Sequence, residues 1–301
     1  MKIAIQGLGR MGMQIAQKLA EGDHTLIAHN RSKDKIDQAV GFGAVGAYEK
    51  SDVLNAFGTD QVIIWIMLPA DIVDAEVDEW LTLIPKGSII IDGGNSNFNL
   101  TKKLNDVVKA GGSNLVDVGT SGGIWGYQNG FCMMAGADDE AAFKAVEPAL
   151  MTLAAPEGAY HYFGPSGSGH FVKMTHNAVE YGMMEALAEG YHILEEGPYK
   201  GLDLAAAGAV WQQHSVITSW LNELAASALK ENPTLEGIDG FVAENGEGRW
   251  TLETAQALHI DMPVLEASLN VRKASREGGV SFATKLLAAI RNKFGGHELN
   301  K

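Results

Sequence analysis

The chain has 301 residues, 46% of them hydrophobic, and carries a formal net charge of -14 with a pI near 5.0. This length suits about two domains of ordinary size. So acidic a chain is not expected to bind nucleic acid or an anionic membrane, and a small anionic ligand would need a local basic pocket.

The beginning of the chain and its apolar runs bear on where the protein works. The first residues already show a strand pattern, so we expect no signal peptide. The longest apolar run, Val62–Leu68, is far shorter than the ~20 residues that span a bilayer. Cys132 is the single cysteine and lies in an apolar run without a flanking basic residue, so we expect a buried structural thiol. These features predict a cytoplasmic protein that contacts no membrane.

A strand over residues 2–6 is followed directly by GLGRMG, which has the GxGxxG spacing and opens a helical pattern. In that context the glycines let the backbone approach a pyrophosphate, and the helix N-terminus offers N–H groups to it. A simple tight turn is the alternative. The motif predicts a dinucleotide site formed by Gly7, Leu8, Gly9, Arg10, Met11 and Gly12.

The second predicted strand, HTLIAHN, ends in Asn30, followed by Arg31 and Ser32. A site that prefers NAD usually carries an acidic residue here, bonded to the ribose 2′-hydroxyl. An arginine suits a 2′-phosphate instead. These three residues therefore predict NADP as the cofactor, with NAD possible, unless Arg31 is only a solvated loop residue.

Strand patterns recur over residues 61–68, 88–92, 114–118 and 131–136, mostly separated by helical stretches. This alternation predicts an α/β Rossmann domain with a doubly wound, mainly parallel sheet over residues 1–164.

Ligands of such sheets bind beyond the carboxyl ends of the strands, where three loops are expected. The first loop places Leu68, Pro69 and Ala70 beside the cofactor. The second places Asn95 beside cofactor and substrate, and the third places Ser121, Gly122 and Gly123 beside the substrate. The alternative for the glycines is that they only form turns.

After Gly164 the pattern becomes helical to the end of the chain, so residues 165–301 are predicted to form an all-α domain. The predicted helices cover residues 170–195, 203–230, 251–259, 263–276 and 281–293.

The first of these helices places Lys173, His176, Asn177 and Glu180 on one strip of its surface. Its other faces are apolar, so we expect a buried helix whose polar strip faces a cavity. Lysine and glutamate on one wall offer a base and an acid, although a solvated polar face is the alternative. A lysine accepts a proton near neutral pH only if burial or a nearby positive charge lowers its pKa from ~10.4.

Taken together, the motifs resemble one family, 6-phosphogluconate dehydrogenase (decarboxylating), in its shorter form. They follow the family's order over nearly the whole chain: GLGRMG, DGGNSNF, TSGG, GHFVKMTHNAVEYG, GEGRWT and RNKFGGH. The wider β-hydroxyacid dehydrogenase group shares the fold and the lysine helix. It usually has a Ser-Thr-Ser-Pro type loop in place of DGGNSNF and Asn-Asn in place of His176-Asn177.

The resemblance implies oxidation of 6-phosphogluconate to ribulose 5-phosphate and CO2, a step of the pentose phosphate pathway and of gluconate utilization. Lys173 would take the proton of the 3-hydroxyl group, and Glu180 would protonate the enediol. The implied contacts to the sugar acid are Asn95, Ser121, Gly122, Gly123, His176 and Asn177.

On the phosphate side, the resemblance implies contacts from Tyr181 and Arg249, with Arg291 and His297 supplied by the neighbouring subunit of a homodimer or larger assembly. The carboxyl-terminal helices would then form the dimer interface. Without the resemblance, the segments around Arg249 and Arg291 would be interpreted as a helix start and a frayed tail.

Two departures from the family pattern stand out. Thr218 replaces an arginine expected to bind the phosphate, and Ile124-Trp125 replaces acidic residues that longer members carry after the Ser-Gly-Gly. The longer members also usually have lysine in place of Arg249. Decarboxylation of a β-keto acid needs no metal, and the sequence shows no metal-ligand spacing. Two alternatives stay open. One is a related β-hydroxyacid dehydrogenase for an unphosphorylated hydroxy acid, and the other is a non-enzymatic NADP-binding sensor.

Overall fold

The computed structural model describes residues 1–156, 158–296 and 299. The chain divides into two compact units, Met1–Met174 and the remainder from Thr175 onward. The domain boundary predicted at residues 164/165 stays a prediction. No helix in the described part of the chain is long and apolar enough to cross a membrane.

The first unit is built on one sheet. Its strands are β1 (Lys2–Gln6), β2 (Thr25–His29), β3 (Val45–Ala47), β4 (Ile63–Ile66), β5 (Ile89–Asp92), β6 (Asn114–Ser121), β7 (Cys132–Ala137) and β8 (Tyr160–Tyr162). Across the described residues the strand order is β3-β2-β1-β4-β5-β6-β7-β8. Neighbouring strands are parallel except for β6 and β7, which are antiparallel. From β1 the strands are added first toward one edge of the sheet, as β2 and β3, and then toward the other edge, beginning with β4. This class of sheet binds its ligands at the switch point between β1 and β4.

Helices cover both faces of this sheet. They are α1 (Arg10–Glu21), α2 (Lys33–Val40), α3 (Lys50–Phe57), α4 (Ala70–Leu83), α5 (Phe98–Ala110), α6 (Gly126–Asn129), α7 (Glu140–Leu153) and the first turns of α8 (Ser168–Glu196). All four residues of β4 are buried: Ile63 and Trp65 pack into one core, Ile64 and Ile66 into another. Successive side chains point to opposite faces of a strand, so a fully apolar strand requires apolar cover on both sides.

The predicted fold class, a doubly wound and mainly parallel sheet, is confirmed. The prediction missed β3 and β8, because three residues are too few to show an alternating pattern. The expectation of a buried thiol was wrong, since Cys132 is exposed. It is the first residue of β7, and only from Met133 onward is that strand covered.

The second unit continues with helices only, as far as its residues are described. They are the remainder of α8, then α9 (Leu204–Trp211), α10 (Trp220–Glu231), α11 (Glu247–Ala257), α12 (Pro263–Arg276) and α13 (Phe282–Gly295). Their core is formed by large apolar side chains such as Met184, Tyr191, Leu229 and Leu287. This confirms the predicted helical second half.

One predicted helix, residues 203–230, is in fact two helices separated by a turn. The Ser215 and Thr218 hydroxyl groups both donate to the Trp211 carbonyl oxygen, at 2.6 and 3.2 Å. Ser219 then caps α10 by accepting from the Asn222 N–H. Serine and threonine that bond to the backbone compete with the helix, which explains the break.

The surface of α8 also differs from the prediction. Val179, Met183 and Ile193 are 56%, 44% and 69% exposed, although the apolar faces of this helix were expected to be buried. Their spacing puts them on one stripe of α8, and no described part of this chain covers that stripe.

Candidate active site

The glycine loop after β1 has the geometry of a nucleotide cradle. Gly7 has φ +98°, and a Cβ there would lie 2.4 Å from the Met67 carbonyl oxygen. A Cβ on Gly12 would lie 1.9 Å from the Gly7 carbonyl oxygen, whereas one on Gly9 would meet nothing within 4 Å. Two glycines therefore let the backbone pack on itself, and the third leaves open space before the first turn of α1.

The N-terminus of α1 faces that open space with its own backbone donors. Gly9 is the N-cap residue and supplies no side-chain hydrogen bond to the helix. The first N–H groups of a helix need acceptors from elsewhere, and an anion is a good one. The loop and the helix start thus fit the pyrophosphate of a dinucleotide.

The loops after β2, β4 and β5 lie along the same edge of the sheet, because these strands run parallel and side by side with β1. The Leu8 N–H donates to the Asn30 Oδ1 at 3.0 Å, which ties the second loop to the glycine loop. A Cβ on Gly94 would lie 2.9 Å from the Leu68 carbonyl oxygen, so the β4 and β5 loops also touch. The structure therefore brings the predicted cofactor loops together.

Within these loops the side chains differ in availability. Asn30 is engaged with the glycine loop, which leaves Arg31 and Ser32 as the exposed residues after β2. Pro69 and Asn95 are exposed as well, while Ala70 begins α4 and is partly buried.

The end of β6 carries the predicted Ser121, Gly122 and Gly123. The last β6 residue paired with β5 is Asp117, so β6 continues beyond its neighbour to Ser121. Gly122 and Gly123 have φ +141° and +55°, values that favour glycine, and they turn the chain away from the strand. All three residues are partly buried.

Lys173 lies in the second turn of α8, in the first unit, and is only 7% exposed. A Cβ on Gly119 would lie 2.2 Å from the Lys173 Cβ and 2.7 Å from its Cγ. Only glycine at position 119 leaves room for the stem of the lysine. The lysine is thus seated against the part of β6 that extends beyond β5, two residues before Ser121.

In the second unit, Asn177 is held by a buried carboxylate. Its Nδ2 donates to the Glu247 Oε1 at 2.9 Å, and its Oδ1 lies 2.9 Å from the His176 Nδ1. With the amide oriented by Glu247, its oxygen must accept, so the proton of this bond belongs to His176 Nδ1. Glu247 was not among the predicted site residues. His176 and Glu180 are both partly buried.

The second unit also contains a buried basic cluster, formed by Tyr181, Arg272 and Arg291. The Arg272 guanidinium carbon lies 3.5 Å from the centroid of the Tyr181 ring, and its Nη1 donates to the Ala243 carbonyl oxygen at 3.1 Å. Its Nε and Nη2 meet no acceptor among the residues that the structure describes. Arg291 is 6% exposed.

Burial disfavours the positive charges of Arg272 and Arg291 and lowers their pKa values. Burial, reinforced by the charge of Arg291, lowers the pKa of Arg272 to about 10. Burial likewise lowers the pKa of Arg291, while Tyr181 and Glu180 act in the opposite direction. Both guanidinium groups stay charged at neutral pH. Two buried cations, of which Arg272 has donors without an acceptor among the described residues, make this cluster suited to an anion.

Arg272 was not among the predicted site residues, although its position on α12 could have indicated it. The buried positions of α12 are Leu265, Ser268, Arg272 and Ser275, at the spacing of one helix face. An arginine on the buried face of a helix indicates a partner in the interior.

The other residues that the sequence analysis considered for the phosphate side are placed differently. Arg249 forms an ion pair with Glu244 and lines an open groove of about 430 Å³ together with Lys273 and Arg276. Thr218 is exposed in the turn between α9 and α10. His297 lies outside the described residues.

The expectation that the neighbouring subunit supplies Arg291 stays a prediction. Its side chain is buried within its own second unit, because α13 packs that face into the helical core. Its guanidinium group interacts electrostatically with Tyr181 of the same chain.

Within residues 1–156, 158–296 and 299, no group of three or more His, Cys, Asp or Glu side chains is arranged to hold a metal ion. A glycine cradle for a dinucleotide on a Rossmann-type sheet, followed by a helical unit, defines an NAD(P)-dependent dehydrogenase.

Comparison with known families identifies which one. Residues 2–164 match the model described as the NAD binding domain of 6-phosphogluconate dehydrogenase, and residues 169–293 match the model of that enzyme's C-terminal domain. The chain belongs to the 6-phosphogluconate dehydrogenase family.

Two curated relatives align over almost their full length. YqeC of Bacillus subtilis, whose name assigns it provisionally to the 6-phosphogluconate dehydrogenases, is 38% identical over 100% of both chains. A Haloferax volcanii protein named 6-phosphogluconate dehydrogenase, NAD(+)-dependent, decarboxylating, is 35% identical over 99% of this chain and 98% of its own.

Solved structures agree on the fold. The 6-phosphogluconate dehydrogenase of Plasmodium falciparum superposes with a TM-score of 0.81 at 26% identity, covering 91% of this chain and 62% of that one. The 3-hydroxyisobutyrate dehydrogenase of Mycobacterium tuberculosis gives a TM-score of 0.74 at 19% identity, covering 95% and 97%.

Proposed function

We propose that this protein oxidises and decarboxylates 6-phosphogluconate to ribulose 5-phosphate and CO2, using NADP or NAD. The observation that carries the proposal is the seat of Lys173, a buried lysine packed against Gly119 near the carboxyl end of the sheet. The names of the two full-length relatives support the choice of substrate.

In this proposal Lys173 accepts the proton of the substrate's 3-hydroxyl group. The bound nicotinamide would take up the hydride from carbon 3. The resulting β-keto acid loses its carboxylate as CO2, and Lys173 returns its proton to the oxygen on carbon 3. Glu180 then protonates the carbon that has lost CO2, which becomes carbon 1 of ribulose 5-phosphate, while Lys173 takes back the proton from the oxygen on carbon 3 so that the ketone forms.

His176 and Asn177 are proposed to hold the sugar acid. Glu247 orients the Asn177 amide, so that the Asn177 oxygen accepts a hydrogen bond from His176 Nδ1. A donor at His176 Nδ1 fixes the tautomer of the neutral ring. Asn95, Ser121, Gly122 and Gly123 are proposed to contact the substrate from the first unit.

We assign the phosphate to the cluster of Tyr181, Arg272 and Arg291. Arg272 has unfilled donors and a fixed plane above the Tyr181 ring, which suits bidentate binding of a phosphate. This cluster supplies the positive charge that the sequence pattern did not offer at Thr218. Arg249 is left as a contact at the edge of its groove.

For the cofactor, we propose a preference for NADP. Arg31 is exposed after β2, where the 2′-phosphate of NADP would lie, while Asn30 is already occupied by the glycine loop. The Haloferax volcanii relative is named as NAD(+)-dependent, so the preference needs its own measurement.

We also propose that the protein forms a homodimer through the stripe of Val179, Met183 and Ile193 on α8. Apolar side chains aligned on one helix face and exposed in a single chain are typical of a surface that a second copy covers. Sedimentation of the protein and of its Met183→Glu variant tests this. A wild-type protein that sediments as a monomer would rule it out.

One comparison tests the proposed reaction. The purified protein is offered 6-phosphogluconate, gluconate or 3-hydroxyisobutyrate with NADP or NAD, and the reduced nicotinamide and released CO2 are both measured. We expect the largest kcat/KM for 6-phosphogluconate, with one CO2 per reduced nicotinamide. A higher kcat/KM for an unphosphorylated acid would make the protein a related β-hydroxyacid dehydrogenase. NADP binding without turnover of any acid would indicate a sensor.

A further inference from the structure

The helix that carries Lys173 is fastened at its start by one buried carboxylate, Asp117 of β6. The Gly167 N–H donates to its Oδ1 at 2.7 Å, and the His170 N–H donates to its Oδ2 at 2.9 Å. The Ser166 hydroxyl adds a longer bond to Oδ1 at 3.4 Å. Asp117 is 0% exposed, and its oxygens accept from two residues just before α8 and from one in its first turn.

A second contact between the same strand and the same helix lies one step further on. Gly119 follows Asp117 by two residues and therefore faces the same side of β6. It leaves the space that Lys173 fills, and Lys173 follows His170 by about one helical turn. β6 and α8 are thus in contact at two successive places. The first is Asp117 with the start of the helix, and the second is Gly119 with Lys173.

The start of α8 has little freedom to shift against the sheet. A Cβ on Gly169 would lie 2.4 Å from the Met134 carbonyl oxygen, and one on Gly136 would lie 2.8 Å from the Asp117 Oδ1. The backbone of α8 thus packs closely on that of β7 at Gly169, and the Asp117 carboxylate packs against Gly136, so a change in the Asp117 bonds is passed directly to the start of α8.

A carboxylate is an expensive choice for a buried position. Burial raises the pKa of Asp117, and the two backbone donors and His170 act against that rise. The N-terminus of a helix also favours a negative charge. A neutral side chain could cap the helix with a smaller loss of solvation free energy. Asp117 instead provides two acceptor oxygens, which fix the directions of two separate N–H groups.

We propose that Asp117 is a positioning residue, which holds the first turn of α8 so that Lys173 stays at one place beside the end of β6. This inference rests on the proposed role of Lys173 as the base of the reaction.

The test is Asp117→Asn, which keeps the size of the side chain but replaces one acceptor oxygen by an NH2 group. Either the Gly167 or the His170 N–H then faces another donor. A displacement of about 1 Å costs on the order of 100-fold in rate, so we expect kcat to fall about 10- to 100-fold. The KM for the cofactor should stay within about twofold, because the glycine loop is untouched.

A deuterium isotope effect separates positioning from mere loss of folded protein. With 6-phosphogluconate deuterated at carbon 3, the effect on kcat should increase in Asp117→Asn, because the hydride step becomes slower relative to product release. Fewer folded molecules would lower kcat and leave the isotope effect unchanged, and that result would overturn the proposal.

Asp139 provides a matched control, since it caps α7 by accepting from the Ala141 N–H at 2.9 Å. Asp139→Asn should keep both kcat and the isotope effect. If Asp117→Asn does not fold, Gly119→Ala serves instead, because it displaces Lys173 and leaves the Asp117 bonds in place. Wild-type kinetics in Gly119→Ala would refute the seating of the lysine.

A readout without turnover keeps this inference distinct from the proposed reaction. The rate at which an amine-acylating reagent modifies Lys173, followed by mass spectrometry, should rise several-fold in Asp117→Asn. An unchanged rate contradicts the positioning role. A wild-type protein that does not oxidise 6-phosphogluconate contradicts only the proposed reaction.

Discussion

Replacement of Arg272 by methionine separates phosphate recognition from stability, because we expect a large loss of phosphate binding and almost no change in the free energy of unfolding. Methionine has a similar length and suits a buried site. The fall of the Arg272 pKa from 12.5 to about 10 means that folding penalises the charged group by about 3 kcal/mol. A lowered folded pKa makes this penalty complete at neutral pH, and it is relieved only as the pH rises above about 10.

Against this gain stand the contacts that Arg272→Met removes. The hydrogen bond to the Ala243 carbonyl oxygen contributes about 1 kcal/mol. The stacking on the buried Tyr181 ring contributes about 2 kcal/mol. Gains and losses nearly cancel, so the free energy of unfolding without ligand should change by no more than about 1 kcal/mol.

Binding should respond very differently. A hydrogen bond to a charged group is worth about 1.5–3 kcal/mol, which corresponds to a rise of roughly 10- to 150-fold in the KM for 6-phosphogluconate. The phosphate lies far from carbon 3, so kcat should be largely kept, and kcat/KM for gluconate should not fall.

Denaturant unfolding with and without 6-phosphogluconate gives a second measurement. Ligand at 100 times its Kd stabilises the wild type by about 2.7 kcal/mol, and a 100-fold weaker Kd reduces this to about 0.4 kcal/mol. Arg276→Met, on the same helix but partly exposed, is the control and should keep the wild-type gain. Equal losses for 6-phosphogluconate and gluconate in Arg272→Met would refute this assignment of the phosphate.

Three further predictions concern the base, the cofactor and a buried acid. Lys173→Met should abolish reduction of the nicotinamide while titration still shows NADP binding; near-normal turnover would exclude it as the base. Arg31→Ala should weaken NADP about 10- to 150-fold and leave NAD unchanged, as measured by KM for each; equal effects would remove the basis for an NADP preference. Burial, aided by the charge of Glu189, raises the pKa of Glu185 to about 7, so the wild type loses stability as the pH rises through that value. Glu185→Gln should therefore gain about 1 to 3 kcal/mol over the wild type between about pH 5 and about pH 8 in denaturant unfolding, and a pH-independent difference would contradict this.

Elements with strong local signals could be predicted from the sequence. The helix predicted over residues 263–276 coincides with α12, which has proline at its first turn and glycines soon after its end. The GLGRMG loop was equally clear, because a strand, a glycine spacing and a helix follow one another directly.

Features that depend on distant contacts could not be predicted in this way. Gly119 comes just after the strand predicted over residues 114–118, whereas the structure places it within β6, and the packing of Lys173 explains why a glycine stands there. Arg272 showed its position on a helix face but not its partner Tyr181, which lies 91 positions earlier in the chain. Hydrophobic periodicity reports which side of an element is covered and does not report what covers it.

The exposed Cys132 gives this protein a built-in attachment point for a spectroscopic reporter. It is the sole cysteine of the chain, so a thiol-reactive fluorophore would label every molecule once and at the same position. Across the β6–β7 ladder it pairs with Ser121, and such cross-strand partners lie on one face with Cβ atoms roughly 4.5–5.5 Å apart. A dye there would lie next to a residue proposed to hold the sugar acid. Its emission would follow ligand binding even in variants that no longer turn over.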